Sequence, residues 1–249
     1  MARVIALVDL DDTLFQTRRK CPDDVDAGRL TPLGFARDGA PLSYATPGQM
    51  SFLSWLGDTA RLIPVTARSL EALRRVRIRF TTAICAHGGV ILRECGTSDP
   101  SWARQMAEQA SRTQPVLADL AAAVSRTAQR RGEPISVRIL SEAGIPLYLL
   151  AKHDLADDGA LATILDEAVP QPPAGWTVHR NGNNAAYLPP RLGKEKALAH
   201  LLPRLRAKHP DAAVIGIGDS FTDAPFMALC DFAMLPTRSQ LAQRLFDAG

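Results

Sequence analysis

The sequence has few of the features that mark metal-knuckle, redox or membrane proteins. Its four cysteines, Cys21, Cys85, Cys95 and Cys230, include no CxxC pair, so neither a zinc knuckle nor a redox dithiol is indicated. Cys85 and Cys230 lie in apolar runs, as reduced core cysteines do. No apolar segment is long enough to cross a bilayer, and the N-terminus lacks a signal-peptide layout. These absences favour a soluble protein of the reducing cytoplasm with no membrane partner.

A strong charge of one sign is also lacking. The formal net charge is +3, from 29 basic and 26 acidic residues, so a nucleic-acid partner is not indicated. The densest basic run, Arg74, Arg75, Arg77 and Arg79, is typical of a solvated helix face. His153, His179, His200 and His209 show no metal-ligand spacing. What is present is ordinary globular composition, 46% hydrophobic and 22% charged, which is enough for a sizeable core.

Apolar runs and helical patterns alternate at both ends of the chain. Five short apolar runs are predicted to form strands, at residues 4–8, 62–65, 83–86, 213–217 and 232–235. Helical periodicity predicts helices at residues 48–56, 70–80 and 195–208. Buried strands that alternate with helices indicate an α/β domain with a parallel sheet. Residues 16–47 form an unusually long connection with a hairpin signal, and we expect it to line the site or pack against the insert.

The middle of the chain follows a different pattern. A long amphipathic helical stretch is followed by two strand pairs, each around a turn signal, with a helix at 158–168 between them. This αββαββ order predicts an antiparallel α+β module that is inserted into the α/β domain. The predicted limits are 1–88 and 189–249 for the core, and 89–188 for the insert.

Reactive side chains are concentrated where the predicted strands end, which is where parallel α/β sheets bind ligands. The first strand runs into Asp9, Asp11 and Asp12, three carboxylates that repel one another unless a cation or a reacting group compensates. A solvated turn is the alternative for this cluster taken alone. The other polar residues expected at the same edge are Thr66, Lys194, Asp219, Ser220 and Asp223.

In their order and spacing, these residues resemble the four motifs of the haloacid dehalogenase superfamily, in its phosphatase branch. DLDDT at 9–13 matches the first motif and Thr66 the second. Lys194, in KEKAL, matches the third, and GDSFTD at 218–223 matches the fourth. The insert is similar to the C2-type cap of Cof-like and sugar-phosphate phosphatases. Asp12 departs from the pattern, because the family most often has Gly there.

The resemblance implies a Rossmann-like core under a C2-type cap and a role for each matched residue. Asp9 would be the nucleophile, and Asp11 would protonate the leaving alkoxide and later activate water. Thr66 and Lys194 would bind phosphate oxygens. Mg²⁺ would be held by Asp9, by Asp219 and by the carbonyl of Asp11.

Four further residues are given supporting roles. Asp223, with Ser220 beside it, would orient Lys194 or the metal ligands. Arg68 and His87 are candidates for substrate contacts, and a surface arginine and a structural histidine are the alternatives. The expected partner is a small phosphorylated metabolite, a sugar or polyol phosphate, enclosed by the cap.

Three other functions share parts of this pattern. A phosphomutase of the phosphomannomutase type would use the same aspartyl phosphate and return the phosphoryl group to a sugar. A receiver-like signalling module also gathers acidic residues, a Thr and a Lys around Mg²⁺, although Asp11 and the inserted cap argue against it. A catalytically silent binding protein is the third, although all four motifs keep their reactive side chains.

Overall fold

The computed structural model of the chain describes residues 3–246, which divide into two compact units. The described residues up to Trp102 and from Gly193 onwards form the first unit, and Ala103–Leu192 form the second. The domain limits expected from the sequence, at residues 89 and 188, stay a prediction. Within residues 3–246, no helix is both long and apolar enough to span a membrane.

The first unit is built on a four-stranded parallel sheet. In chain order its strands are β1 (Val4–Val8), β5 (Arg61–Pro64), β12 (Ala213–Ile217) and β13 (Phe232–Met234), and their order in the sheet is β13-β12-β1-β5. Val8 is aligned with Ile217 on one side and with Pro64 on the other, so three strands end level. The α/β class predicted from the sequence is confirmed.

Helices and short antiparallel strands complete this unit. The helices are α1 (Pro47–Thr59), α2 (Leu70–Leu73), α5 (Lys194–Lys208), α6 (Ala224–Met227) and α7 (Gln240–Phe246). Helix α1 begins with a capping box, in which Thr46 and Gln49 bond each other's backbone N–H groups. Helix α5 buries residues spaced three or four apart, Ala197, Leu201 and Leu205, as an amphipathic helix on a sheet does.

The connection after β1 forms a small antiparallel sheet. Its strands are β2 (Gln16–Thr17), β3 (Thr31–Phe35) and β4 (Pro41–Ala45), in the order β2-β4-β3. The turn between β3 and β4 lies at Asp38 and Gly39, where the Asp38 carboxylate accepts the N–H of Ala40 at 3.0 Å and Gly39 has a φ of +84°. The hairpin signal in this segment is confirmed. A second hairpin is formed by β6 (Ala83–Cys85) and β7 (Val90–Leu92).

The helix predicted over residues 70–80 is wrong beyond Leu73, where α2 ends. The following backbone bonds to β3 instead, because the N–H of Phe35 donates to the carbonyl of Arg75 at 3.1 Å. The basic run is therefore not on a helix, although Arg74, Arg77 and Arg79 are exposed to solvent as expected. Arg75 Nε donates to the Phe35 carbonyl at 3.0 Å, and the Arg77 guanidinium lies 4.1 Å from the centre of the Phe35 ring. Tertiary contacts override the local helical periodicity here.

The second unit is a four-stranded antiparallel sheet with two helices packed on it. Its elements are most of α3 (Pro100–Arg131), β8 (Ile135–Glu142), β9 (Ile145–His153), α4 (Asp158–Ala168), β10 (Thr177–Asn181) and β11 (Asn184–Leu188). The strand order is β10-β11-β9-β8. Alternate residues of one sheet face, such as Leu149, Ala151, Ala185 and Tyr187, form a buried core with both helices. The predicted αββαββ order is confirmed.

Candidate active site

A lysine ammonium lies between two buried carboxylates at the end of the central strand. Nζ of Lys194, the first residue of α5, donates to Oδ1 of Asp9 at 2.6 Å and to Oδ1 of Asp223 at 2.7 Å. All three side chains are at most 9% exposed. Burial alone would lower the pKa of Lys194, but the two carboxylates outweigh it and raise the pKa above its ordinary value. The ammonium therefore stays charged.

The hydroxyl of Thr13 lies between two carboxylates of the first and fourth motifs. Thr13 Oγ1 is 3.4 Å from Asp9 Oδ2 and 3.3 Å from Asp219 Oδ1. Burial raises the pKa of Asp219 to about 7, with help from the charges of Asp223 and Asp12. Burial also raises the pKa of Asp9, and Lys194 acts in the opposite direction. The site thus contains more carboxyl groups than its one ammonium can neutralise when they are ionised.

The Asp223 side chain is hydrogen-bonded to the loop that contains Asp219 and Ser220. Its Oδ2 accepts the Ser220 hydroxyl at 2.6 Å and the N–H groups of Ser220 and Asp219 at 3.1 and 3.3 Å. Burial opposes ionisation of this carboxyl group, but Lys194 and Ser220 prevail and lower the pKa of Asp223. Asp223 therefore fixes both the loop and the ammonium of Lys194.

The end of β5 and the turn after β6 set the position of Lys194. Thr66 is fully buried, and its carbonyl accepts the N–H of His87 at 3.3 Å. His87 is itself buried and has a left-handed φ of 53°. The next residue, Gly88, has a φ of +92°, and a Cβ there would lie 2.2 Å from the carbonyl oxygen of Gly193. Only glycine allows this approach of the turn to the start of α5.

Arg68 forms a bidentate ion pair with the side chain of Asp11. Its Nε and Nη2 each donate to one carboxylate oxygen of Asp11 at 2.7 Å, in the fork geometry typical of arginine. The Asp11 side chain is thus held by an arginine. The expected contribution of Asp11 to a metal is its backbone carbonyl, and this side-chain geometry leaves that expectation untouched.

The departure from the family pattern, Asp12, lies beside a cavity to which many polar residues contribute. Asp12 has a φ of 63° and pairs with Lys20. A cavity of about 710 Å³ opens next to Asp12 and Asp219. Polar side chains of the 16–47 connection and of the chain after β13 line it, among them Gln16, Thr46, Thr237 and Arg238. The expectation that part of the connection lines the site is consistent with this lining.

The carboxylates have the chemistry of a divalent-cation site. Oxygens of Asp9, Asp219 and Asp223 lie within 4.8 Å of one another. Among the described residues, the Asp223 carboxylate accepts four hydrogen bonds, from Lys194 and the loop, whereas that of Asp9 accepts two and that of Asp219 accepts one, so Asp9 and Asp219 have more capacity for an ion. Carboxylate oxygens are the ligands that Mg²⁺ prefers, and a divalent ion would balance the excess negative charge. The residues fit such an ion.

The structure brings together residues of the first, third and fourth motifs, namely Asp9, Lys194, Asp219 and Asp223, and the roles given to them stay predictions. Two further partners were missed. Thr13 belongs to the first motif, so its place in that motif was the available signal. Ser43, on β4, is fully buried and accepts a hydrogen bond from Arg68 Nη2 at 3.2 Å. Nothing in the local sequence marks Ser43, because its contact depends on how the hairpin folds back.

Solved structures with a similar fold were found. The chain is similar to the sucrose-phosphatase of Synechocystis sp. PCC6803, solved with sucrose and phosphate, at 18% identity and a TM-score of 0.60, over 99% of this chain and 88% of that one. It is similar to a trehalose-6-phosphate phosphatase related protein at 19% identity and a TM-score of 0.51, over 93% and 85% of the two chains.

The C-terminal domain of the C. albicans trehalose-6-phosphate phosphatase is a third similar structure, at 14% identity and a TM-score of 0.53, over 90% of this chain and 72% of that one. No family model and no curated protein sequence matches the chain. The likeness to these phosphatase structures shows a shared fold, and the α/β core with an inserted α+β unit expected from the sequence is confirmed for the fold.

Proposed function

We propose that this protein is a Mg²⁺-dependent phosphohydrolase of the haloacid dehalogenase superfamily. It cleaves the phosphate monoester of a small metabolite, a sugar or polyol phosphate, through an aspartyl-phosphate intermediate. The observation that carries the proposal is Lys194, which joins Asp9 and Asp223 across motifs far apart in sequence. If Lys194 were an ordinary surface lysine and Asp9 part of a solvated turn, these buried contacts would not be expected.

In the first step, a carboxylate oxygen of Asp9 attacks phosphorus while the bond to the leaving oxygen breaks. Asp11 gives its proton to that oxygen, because an alkoxide is a poor leaving group. Lys194 and the strand-end Thr66 bind phosphate oxygens and offset their charge. When bound, Mg²⁺ supplies Lewis-acid stabilisation of the phosphoryl group, and Asp9, Asp219 and the Asp11 carbonyl would hold it.

In the second step, water attacks the phosphorus of the aspartyl phosphate. Asp11, now a carboxylate, takes the proton of that water, and Asp9 leaves as a free carboxylate. Both groups return to their starting states, so the protons balance over the cycle. Asp223 keeps Lys194 in place through both steps by its 2.7 Å contact.

The substrate class rests on two observations. The similar structures are, by name, phosphatases of sucrose phosphate and trehalose phosphate or related to them. The 710 Å³ cavity beside Asp219 is lined in part by the amide and hydroxyl groups of Gln, Thr and Ser side chains, which suit the hydroxyls of a sugar. We also propose a cytoplasmic location, because the four free cysteines fit a reducing compartment.

The test is phosphate release from a panel of sugar and polyol phosphates, with Mg²⁺ and with EDTA. We expect one substrate to stand out, EDTA to stop its hydrolysis, and Asp9→Asn to abolish turnover in a folded protein. Isomerisation of hexose phosphates without phosphate release would favour the phosphomutase. Retained turnover by Asp9→Asn would refute the nucleophile, and well-folded protein that is inactive on the whole panel would refute the proposal.

A further inference from the structure

The guanidinium of Arg68 is committed to Asp11. Nε and Nη2 bond the two oxygens of one carboxylate, both at 2.7 Å. This fork–fork arrangement fixes the plane of the carboxylate as well as its position. An arginine that waits for a substrate phosphate would keep this edge of its guanidinium available.

Other groups brace the guanidinium. It lies 5.0 Å from the centre of the Phe15 ring, and Nη2 also donates to Ser43 at 3.2 Å. At the backbone, the N–H of Arg68 donates to Thr66 Oγ1 at 3.1 Å. The Arg68 side chain is only 13% exposed. An aromatic face, a buried hydroxyl and the end of β5 therefore determine where the arginine sits.

We propose that Arg68 is a positioning residue that aims Asp11 at the leaving oxygen, and not a substrate-binding residue. This inference rests on the proposed function. When Asp11 gives its proton to the leaving oxygen, as the phosphorus bond to Asp9 forms, it becomes the carboxylate that the Arg68 fork binds. The same carboxylate then takes a proton from the attacking water and closes the cycle.

A positioning role makes a specific kinetic prediction. Arg68 acts through Asp11, so its loss matters only where the leaving group needs a proton. β-Glycerophosphate has an alkoxide leaving group and needs one, whereas p-nitrophenolate is a stable anion. The parameter to compare is kcat/KM, because it covers steps up to departure of the leaving group and excludes hydrolysis of the aspartyl phosphate.

Arg68→Met should lower kcat/KM for β-glycerophosphate about 100-fold or more, in the range of lost acid catalysis, and for p-nitrophenyl phosphate less than about threefold. Arg68→Lys keeps the charge but cannot form the fork, so it should recover only part of the loss. Adding Arg68→Met to Asp11→Asn should cause no further loss on either substrate, because the two residues act as one unit.

Arg75→Met is the matched control. Arg75 Nε also bonds the β3–β4 hairpin, at the Phe35 carbonyl, so its loss perturbs the same segment. The kcat/KM values of Arg75→Met for both substrates should stay within about twofold of the wild type, because Arg75 does not contact Asp11.

Equal losses on both substrates, with a raised KM, would show that Arg68 binds phosphate and would overturn the proposal. Further loss in the double variant would also overturn it. If the wild type is inactive on both substrates, unfolding midpoints of the single and double variants decide on Arg68, and the panel of sugar and polyol phosphates decides separately on the proposed function. If the midpoint change of the double variant equals the sum of the two single changes, the contact between Arg68 and Asp11 is refuted. If it differs from that sum, the contact is supported.

Discussion

Removal of the Lys194 ammonium by Lys194→Met tests the charge balance of the site. The substitution keeps a side chain of similar length beside Phe226, whose ring centre lies 5.8 Å from Nζ. It leaves Asp9 and Asp223 buried without the cation that bonds both at 2.6 and 2.7 Å. Breaking a buried ion pair on one side costs about 3–5 kcal/mol of the free energy of unfolding. We expect a loss of that size in metal-free protein near neutral pH.

The loss should shrink in acid. Burial already raises the pKa of Asp9, and removing Lys194 takes away the opposing charge at both carboxylates. An acid whose folded pKa exceeds its unfolded value binds more protons when folded, so the folded state gains stability as pH falls. In the wild type, the raised pKa of Lys194 gives a contribution that is fully present below its ordinary value of 10.5 and constant in the acid range. The difference between the two proteins is therefore greatest at alkaline pH.

Urea unfolding in EDTA at about pH 8 and about pH 5, followed by circular dichroism, measures both effects. Lys196→Met is the matched control, since Lys196 lies two residues along the same helix with a side chain 42% exposed and 3.5 Å from Glu195. Its effect should stay below about 0.5 kcal/mol at both pH values. A Lys194→Met protein as stable as the wild type at the higher pH, or equally destabilised at both, would refute the buried charge cluster.

Two further predictions concern the metal site and the turn behind it. In EDTA, the wild type should gain stability as pH falls from about 7 towards 4, because the pKa of Asp219, about 7, exceeds its ordinary 3.8. Saturating Mg²⁺ should flatten this pH dependence. An equal pH dependence of thermal unfolding with and without Mg²⁺ would contradict the metal site. Gly88→Ala should cost more than about 2 kcal/mol in urea unfolding and displace Lys194, since its Cβ would lie 2.2 Å from the Gly193 carbonyl oxygen. The control, Gly39→Ala, should cost about 1 kcal/mol, because Gly39 has a φ of +84° but nothing lies within 4 Å of its Cβ. Equal costs would contradict the close approach of Gly88 to Gly193.

The sequence predicts the site best where the sheet alone brings residues together. Asp9 and Asp219 follow the adjacent strands β1 and β12, whose register aligns Val8 with Ile217. Parallel strands place their carboxyl ends at one edge, so strand order and a polar residue at each end suffice. The helix over residues 158–168 was predictable for a similar reason, because its periodicity and its Asp157 cap are both local.

Contacts that depend on long-range registration were not predictable. The β3–β4 pairing slips on both sides of Gly34, and Gly34 faces Ser43 in the resulting register. That register brings Ser43 to Arg68, and nothing in the local sequence specifies it. The approach of Gly88 to Gly193 likewise joins segments 105 residues apart. Arg68 was expected near the site, but the direction of a long side chain does not follow from its place in the chain.

Four of the five acidic side chains at the site pair with a basic side chain. Lys194 pairs with both Asp9 and Asp223, Arg68 pairs with Asp11, and Lys20 pairs with Asp12. Within the described residues, Asp219 contacts the Thr13 hydroxyl and has no basic side chain within ion-pair distance. Burial raises the pKa of Asp219, the charges of Asp223 and Asp12 act in the same direction, and the more distant Lys194 only partly opposes them. A divalent ion that binds here would supply the missing partner of Asp219, so Asp219 is the carboxylate at which metal affinity and stability should be coupled most strongly.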